Sequence, residues 1–269
     1  MRLDMTDIRT LFISDIHLGC PHAKPERLLE LLTQLQPETV YLVGDFIDGW
    51  ELRRRWKWGP EINQLIRKLM ELSRRGTTVR YVIGNHDDFL RHHAVLSELV
   101  TDGGIEVADE FTHETIDGRR YLVIHGDRFD EYGSCSASVD WLMTVLYNVM
   151  LRANDLWQII AGGRYGAASS KVKSFVGPIV RQVHRFRSLL VQHARERGFD
   201  GVICGHIHAP EQVRVEGIEY LNTGDWLENC SAILEHADGQ LDLFWFNSSS
   251  GLQQLPANTT ATVPERQVV

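Results

Sequence analysis

Five short polar clusters stand at the ends of apolar, strand-like runs: Asp15-Ile16-His17, Gly44-Asp45-Phe46-Ile47-Asp48, Gly84-Asn85-His86-Asp87, His125-Gly126-Asp127 and Gly205-His206-Ile207-His208. In the third, the glycine permits a tight turn, the asparagine offers a neutral oxygen, and the histidine can act as acid or base near neutral pH. Its aspartate, Asp87, is expected to orient His86.

The side chains suited to holding a cation are Asp15, His17, Asp45, Asn85, His125, His206 and His208. This mix of carboxylate, amide and imidazole, without thiolate, suits Mn, Fe or Zn better than a soft metal. Seven ligands exceed one tetrahedral site and fit two ions that share a carboxylate. Such ions, about 3.5–4 Å apart, activate water and stabilise the oxygens of a phosphoryl displacement. Singly, each cluster is weak, because Gly-Asp after a strand is often only a turn. Five at successive strand ends are hard to attribute to fold alone.

The elements carrying them follow from periodicity. Apolar runs at 10–14, 39–43 and 77–83 read as buried strands. Between them, 25–35 and 61–74 place leucines and isoleucines at helical spacing. Alternating strands and helices predict a mainly parallel α/β sheet, with ligands gathering beyond the carboxyl ends of the strands. Runs at 111–116 and 120–124 flank Asp117-Gly118, a hairpin signal. Further strands are expected at 201–204, 212–215, 217–221, 231–235 and 241–245, followed by a Ser-, Thr- and Gln-rich disordered tail over 247–269. Residues 138–198 read as a helical insertion, with Pro178 starting or kinking a helix. The expected domain is thus 8–137 plus 199–246.

The 269-residue chain has 43% hydrophobic and 24% charged residues, as ordinary globular proteins do. Its four cysteines form no Cys-x-x-Cys pair, which points to reduced thiols and a cytoplasmic setting. The acidic start argues against a signal peptide, and the apolar stretch 141–163 is too interrupted for a spanning helix of about 20 residues. Net charge is −8, yet residues 164–198 hold eight Lys or Arg and one acid, leaving −15 for the remainder. A basic, half-apolar segment fits either an anionic interface or a solvated helix face. Residues 50–58 interleave Trp50, Trp56 and Trp58 with Arg53, Arg54, Arg55 and Lys57.

As an ordered set, the five clusters resemble the motifs of the calcineurin-like metallophosphoesterases, spanning about 11–246. The resemblance implies a four-layer α-β-β-α sandwich with a helical lid and a dinuclear centre. One ion would fall to Asp15, His17, Asp45 and His208, and the other to Asp45, Asn85, His125 and His206. His86 would face the substrate and protonate the leaving oxygen or stabilise the transition state.

Within that superfamily the chain most resembles the UDP-2,3-diacylglucosamine pyrophosphatase branch of lipid A synthesis. The likeness lies in its length, its helical insertion, Trp50, and Asn222-Thr223-Gly224-Asp225-Trp226. It implies two divalent ions, manganese foremost, an anionic lipid-linked phospho-substrate met by Trp50, Arg53 and Arg54, and peripheral contact with the inner face of the membrane. The best-known enzymes of that branch carry Arg where this chain has His86, which keeps other diphosphates and phosphodiesters open as substrates. A nuclease would use Arg53 to Trp58 for charge and stacking, against an acidic overall balance. A non-catalytic scaffold would be expected to have lost ligands, and all seven are here.

Overall fold

A computed structural model describes residues 8–92, 104–130 and 170–254. Strands β1 (Ile8–Ile13), β2 (Thr39–Val43), β3 (Thr78–Val82) and β4 (Ile105–Ala108) run parallel. Between them come α1 (Pro25–Gln34), α2 (Gly49–Arg54), α3 (Pro60–Arg74) and the single turn α4 (Phe89–His92). Prolines open α1 and α3, where a missing N–H costs nothing.

A second sheet begins with the antiparallel pair β5 (Glu110–Glu114) and β6 (Arg120–Ile124), joined through Asp117-Gly118 as expected. Helix α5 (Ser170–Glu196) leads to β7 (Gly201–Cys204), β8 (Glu211–Val215) and β9 (Ile218–Asn222). The sheet order is β5-β6-β7-β9-β8, with β6, β7 and β9 parallel. The chain then returns to the first sheet as β10 (Ser231–His236), β11 (Leu241–Asn247) and β12 (Gly251–Gln254), giving β12-β11-β10-β1-β2-β3-β4.

The layers follow from the two-residue period of the strands. Leu11 and Ile13, Val40 and Leu42, and Ala232 and Leu234 turn to α1 and α3, where Leu28, Leu32, Leu65 and Leu69 cover them. Their neighbours Phe12, Tyr41, Val43 and Ile233 face the second sheet and meet Tyr121, Val123, Ile203 and Leu221. The other face of that sheet, with Leu122, Val202 and Tyr220, is covered by Phe186, Leu190, Val191 and Ala194 of α5. The result is the expected four-layer α-β-β-α sandwich.

Three expectations change. Helix α5 runs through position 178 without starting there. From 181 onward, the stretch assigned to a lid is the outer layer of the sandwich, and much of its positive charge is paired. Arg187, nearly buried, bonds Glu211 at 2.6 Å, Arg195 pairs with Glu216, and Arg197 meets Glu110 at 2.6 Å. The stretch expected to be a tail from 247 includes β12, which pairs with β11 through Phe244 and Gln254. Residues 138–169 and 255–269 lie outside the described residues.

Candidate metal centre

Strands β1, β2, β3, β6 and β7 all deliver their carboxyl ends to one place, from both sheets. The turns there are strained. Asp15, His17, Asp45, His206 and His208 have φ between 50° and 71°, a region side chains rarely occupy. They are five of the seven non-glycine residues with positive φ among the described residues. Such strain persists only where surroundings impose it, and it concentrates at functional sites. Here neighbouring loops lace together: Asp15 N–H donates to the Gly44 carbonyl at 3.1 Å, and His17 N–H to that of Asp45 at 2.9 Å. Two glycines allow the approach. A Cβ on Gly84 would collide with Asp45 Oδ1, and one on Gly205 with Asp15 Oδ2.

Asp45 lies at the middle. Its Oδ2 is 3.3 Å from His125 Nε2, 3.8 Å from His17 Nε2 and 4.0 Å from His86 Nε2. On one side, His208 Nε2 sits 3.2 Å from Asp15 Oδ1 and 3.4 Å from His17 Nε2. On the other, the His125 and His206 rings lie edge to face at 5.2 Å. Three groups of ligand atoms could each hold an ion: Asp15, His17 and His208; His17, Asp45 and His86; and Asp45, His125 and His206.

The donor set fits a divalent metal on structural grounds. Among the described residues, Asp15 Oδ1, Asn85 Oδ1 and His125 Nε2 have no hydrogen-bond partner although buried, a costly state that a cation would relieve. Asn85 stands between Gly84, packed against the Asp45 carboxylate, and His86, whose N–H donates to Asp45 Oδ1 at 2.8 Å.

Neighbouring groups aim the ligands. His125 Nδ1–H donates to the Val43 carbonyl at 2.9 Å, which turns Nε2 toward Asp45. Asp15 Oδ2 accepts from His206 N–H at 3.0 Å and from Ser14 Oγ, which leaves Oδ1 toward His208. Burial opposes ionisation of Asp45, but His125, His86 and His17 hold its pKa well below the carboxylate range. Burial likewise works against Asp15, and His208 and His125 outweigh it. Two buried carboxylates are therefore kept anionic in a pocket of imidazoles.

His86 is brought in as expected, but its orienting carboxylate is Asp48. His86 Nδ1 lies 3.1 Å from Asp48 Oδ1, while Asp48 Oδ2 is 3.3 Å from His17 Nδ1. Asp48 also caps α2, accepting from Glu51 N–H at 2.8 Å. Burial penalises its charge, and the bonds from His17 and His86 overturn the penalty and hold its pKa far down. Asp87 instead ties the loop together. Its oxygens accept from Phe46 N–H (2.9 Å), Tyr81 Oη (2.5 Å) and Gly84 N–H (2.5 Å), and burial beside Asp45 pushes its pKa up to about 7. Only the Gly-Asp-x-x-Asp spacing signalled Asp48 in the sequence.

Trp50 lies against His86, with ring centroids 4.1 Å apart and planes inclined by 34°. Arg53 and Arg54 sit exposed in the last turn of α2, where Arg54 pairs with Glu51 at 2.9 Å. They lie at the helix end away from Asp48, and the structure does not bring them among the ligands.

This arrangement is that of a known class. The sequence pattern of the calcineurin-like phosphoesterases matches residues 8–210, and the chain belongs to that family. It is a metal-dependent phosphoester hydrolase whose clustered His and Asp side chains could bind divalent ions.

Among curated relatives, it is 24% identical to UDP-2,3-diacylglucosamine hydrolase of Psychromonas ingrahamii, over 84% of this chain and 93% of that one. It is 27% identical to the Cellvibrio japonicus protein of the same name, over 81% and 91%. The Porphyromonas gingivalis protein of that name is 29% identical, but the match covers 52% of this chain and 53% of that one. Among solved structures, the Escherichia coli phosphoesterase Yfce matches with a TM-score of 0.48 at 17% identity, over 93% of this chain and 99% of that one.

Proposed function

We propose that the protein hydrolyses the phosphoanhydride of a nucleotide-linked lipid, UDP-2,3-diacylglucosamine or a close analogue, to UMP and a lipid monophosphate. The observation that carries the hydrolytic reading is the convergence of His17, His86 and His125 on one oxygen of Asp45, within 4.0 Å. The substrate reading draws on relatives named for that lipid, matched over most of both chains.

Asp15, His17, Asp45 and His208 would hold one ion, and Asp45, Asn85, His125 and His206 the other. Mn(II) suits this oxygen- and imidazole-rich set. Bound divalent ions supply an activated water and neutralise charge on the phosphoryl oxygens. Asp45, near both sets of side chains, would be common to both ions. His86 keeps Nδ1–H on Asp48 and turns Nε2 toward the centre, where it passes a proton to the leaving oxygen. General acid help of that kind contributes about 100- to 10,000-fold. Trp50 covers one face of His86 and fixes the ring. Arg53 and Arg54, along the same helix, attract the anionic diphosphate.

A lipid substrate places the enzyme on the cytoplasmic side, against the inner membrane surface. No helix among the described residues is long and apolar enough to cross a membrane, and the proposed contact is a peripheral one.

The test incubates purified protein with Mn(II) and UDP-2,3-diacylglucosamine and follows UMP and lipid monophosphate. Release of both supports the proposal. Turnover of a simple aryl phosphodiester with no release from the lipid would move the protein to another substrate. A second reading, a single-strand nuclease, draws on Trp56, 74% exposed and stacked on Trp58 at 5.8 Å beside Arg55 and Lys57. Its mark would be DNA cleavage that weakens steeply with salt.

A further inference from the structure

One face of α5 reaches the candidate metal centre. Gln182 and Phe186 are one turn apart on that helix and therefore share a face. Gln182 Nε2 donates to Asp130 Oδ1 at 3.1 Å. The other oxygen of Asp130, Oδ2, lies 3.2 Å from His206 Nε2, with side-chain exposures of only 15% and 11%. The Phe186 ring stands 5.8 Å from the His206 ring, inclined by 34°. Room for Phe186 comes from Gly126, where a Cβ would lie 2.6 Å from Phe186 Cζ. Asp130 itself is placed by the short turn Asp127–Phe129 that follows His125.

We infer that Asp130, clamped by Gln182, is the positioning residue for His206 and thereby sets the affinity of the second ion. A carboxylate on Nε2 holds the proton there and leaves Nδ1 as the nitrogen with a lone pair. A carboxylate behind a histidine ligand fixes its tautomer and ring and raises its basicity, an effect typically of about 10- to 100-fold in metal affinity. Among the candidate ligands of the first ion, Asp15 is braced by Ser14 and His17 by Asp48. The outer helical layer thus reaches the second ion through His206. The inference rests on the proposed two-ion centre.

The experiment titrates metal-free full-length protein with Co(II). Calorimetry gives the two affinities, and visible spectra report the coordination of each. Asp130→Ala should weaken the second, Asp45-, Asn85-, His125- and His206-held ion about 10- to 100-fold and alter its spectrum. The first affinity and the melting temperature of the metal-free protein should stay at wild-type values. Asp130→Asn, which keeps an acceptor oxygen, should fall between wild type and Asp130→Ala, and Gln182→Ala should shift the same ion by less.

Two wild-type affinities in Asp130→Ala would overturn the inference alone. Equal weakening of both ions with a lowered metal-free melting temperature would also overturn it, showing Asp130 to be a packing residue. Uptake of a single ion by the wild-type protein would overturn the two-ion reading and this inference with it.

Discussion

Asp48 Oδ1 lies 3.1 Å from His86 Nδ1 within a site where both side chains are essentially closed to solvent. The same carboxylate braces His17 through its second oxygen. One residue, itself no expected ligand, therefore aims both the proposed acid and a ligand of the first ion. Asp48→Ala should lower kcat by about 10- to 100-fold, the size of effect seen when a group behind a ligand is lost. It should also weaken one ion. Asp48→Asn, which can bond only one histidine as acceptor at a time, should lie between. Steady-state rates with metal titration check this, and wild-type values for both would remove Asp48 from the site.

His86 stands apart from the ligands in its expected response. His86→Ala should retain both ions yet lose about 100- to 10,000-fold in turnover, the contribution of general acid catalysis. Metal content by mass spectrometry, read beside kcat, makes the distinction. An unchanged rate would leave His86 with no part in the chemistry.

The Tyr81 hydroxyl donates to Asp87 at 2.5 Å in a fully buried setting. Tyr81→Phe leaves that carboxylate one donor short, which should cost about 1–3 kcal/mol. Urea denaturation of the metal-free protein gives the number. No loss would mean that the Phe46 and Gly84 amides suffice to hold the loop.

Glu235 provides a pH dependence far from the ligands. Burial raises its pKa, but the His113, Thr10 and Ile116 N–H contacts outweigh that and bring it below the ordinary 4.5. A depressed folded-state pKa means that Glu235 stabilises the fold above about pH 4.5. That stability is lost as pH falls through the folded value. Glu235→Gln should therefore be less stable than wild type at pH 7, and the gap should narrow below pH 4.5. Urea midpoints at pH 7 and pH 3.5 measure it, and a constant gap would contradict the linkage.

The order of strands and the candidate ligands at their ends were legible because both are local. Apolar runs such as Thr39–Val43 stop at a glycine, and the next side chain is a candidate ligand. Two things were not local. Whether Asp48 or Asp87 reaches His86 depends on how two loops from different strands cross. Whether α5 covers a sheet or a lipid depends on its partner, since Phe186, Leu190 and Ala194 give the same apolar stripe either way. Strand β12, Gly-Leu-Gln-Gln, was missed because an edge strand is held through its backbone and needs no apolar alternation.

The central claim is that side chains from both sheets share two ions across Asp45. Anomalous diffraction from crystals grown with Mn(II) tests it directly. The account predicts two peaks about 3.5–4 Å apart, one on each side of the Asp45 carboxylate. A single peak, or peaks away from Asp45, would contradict it.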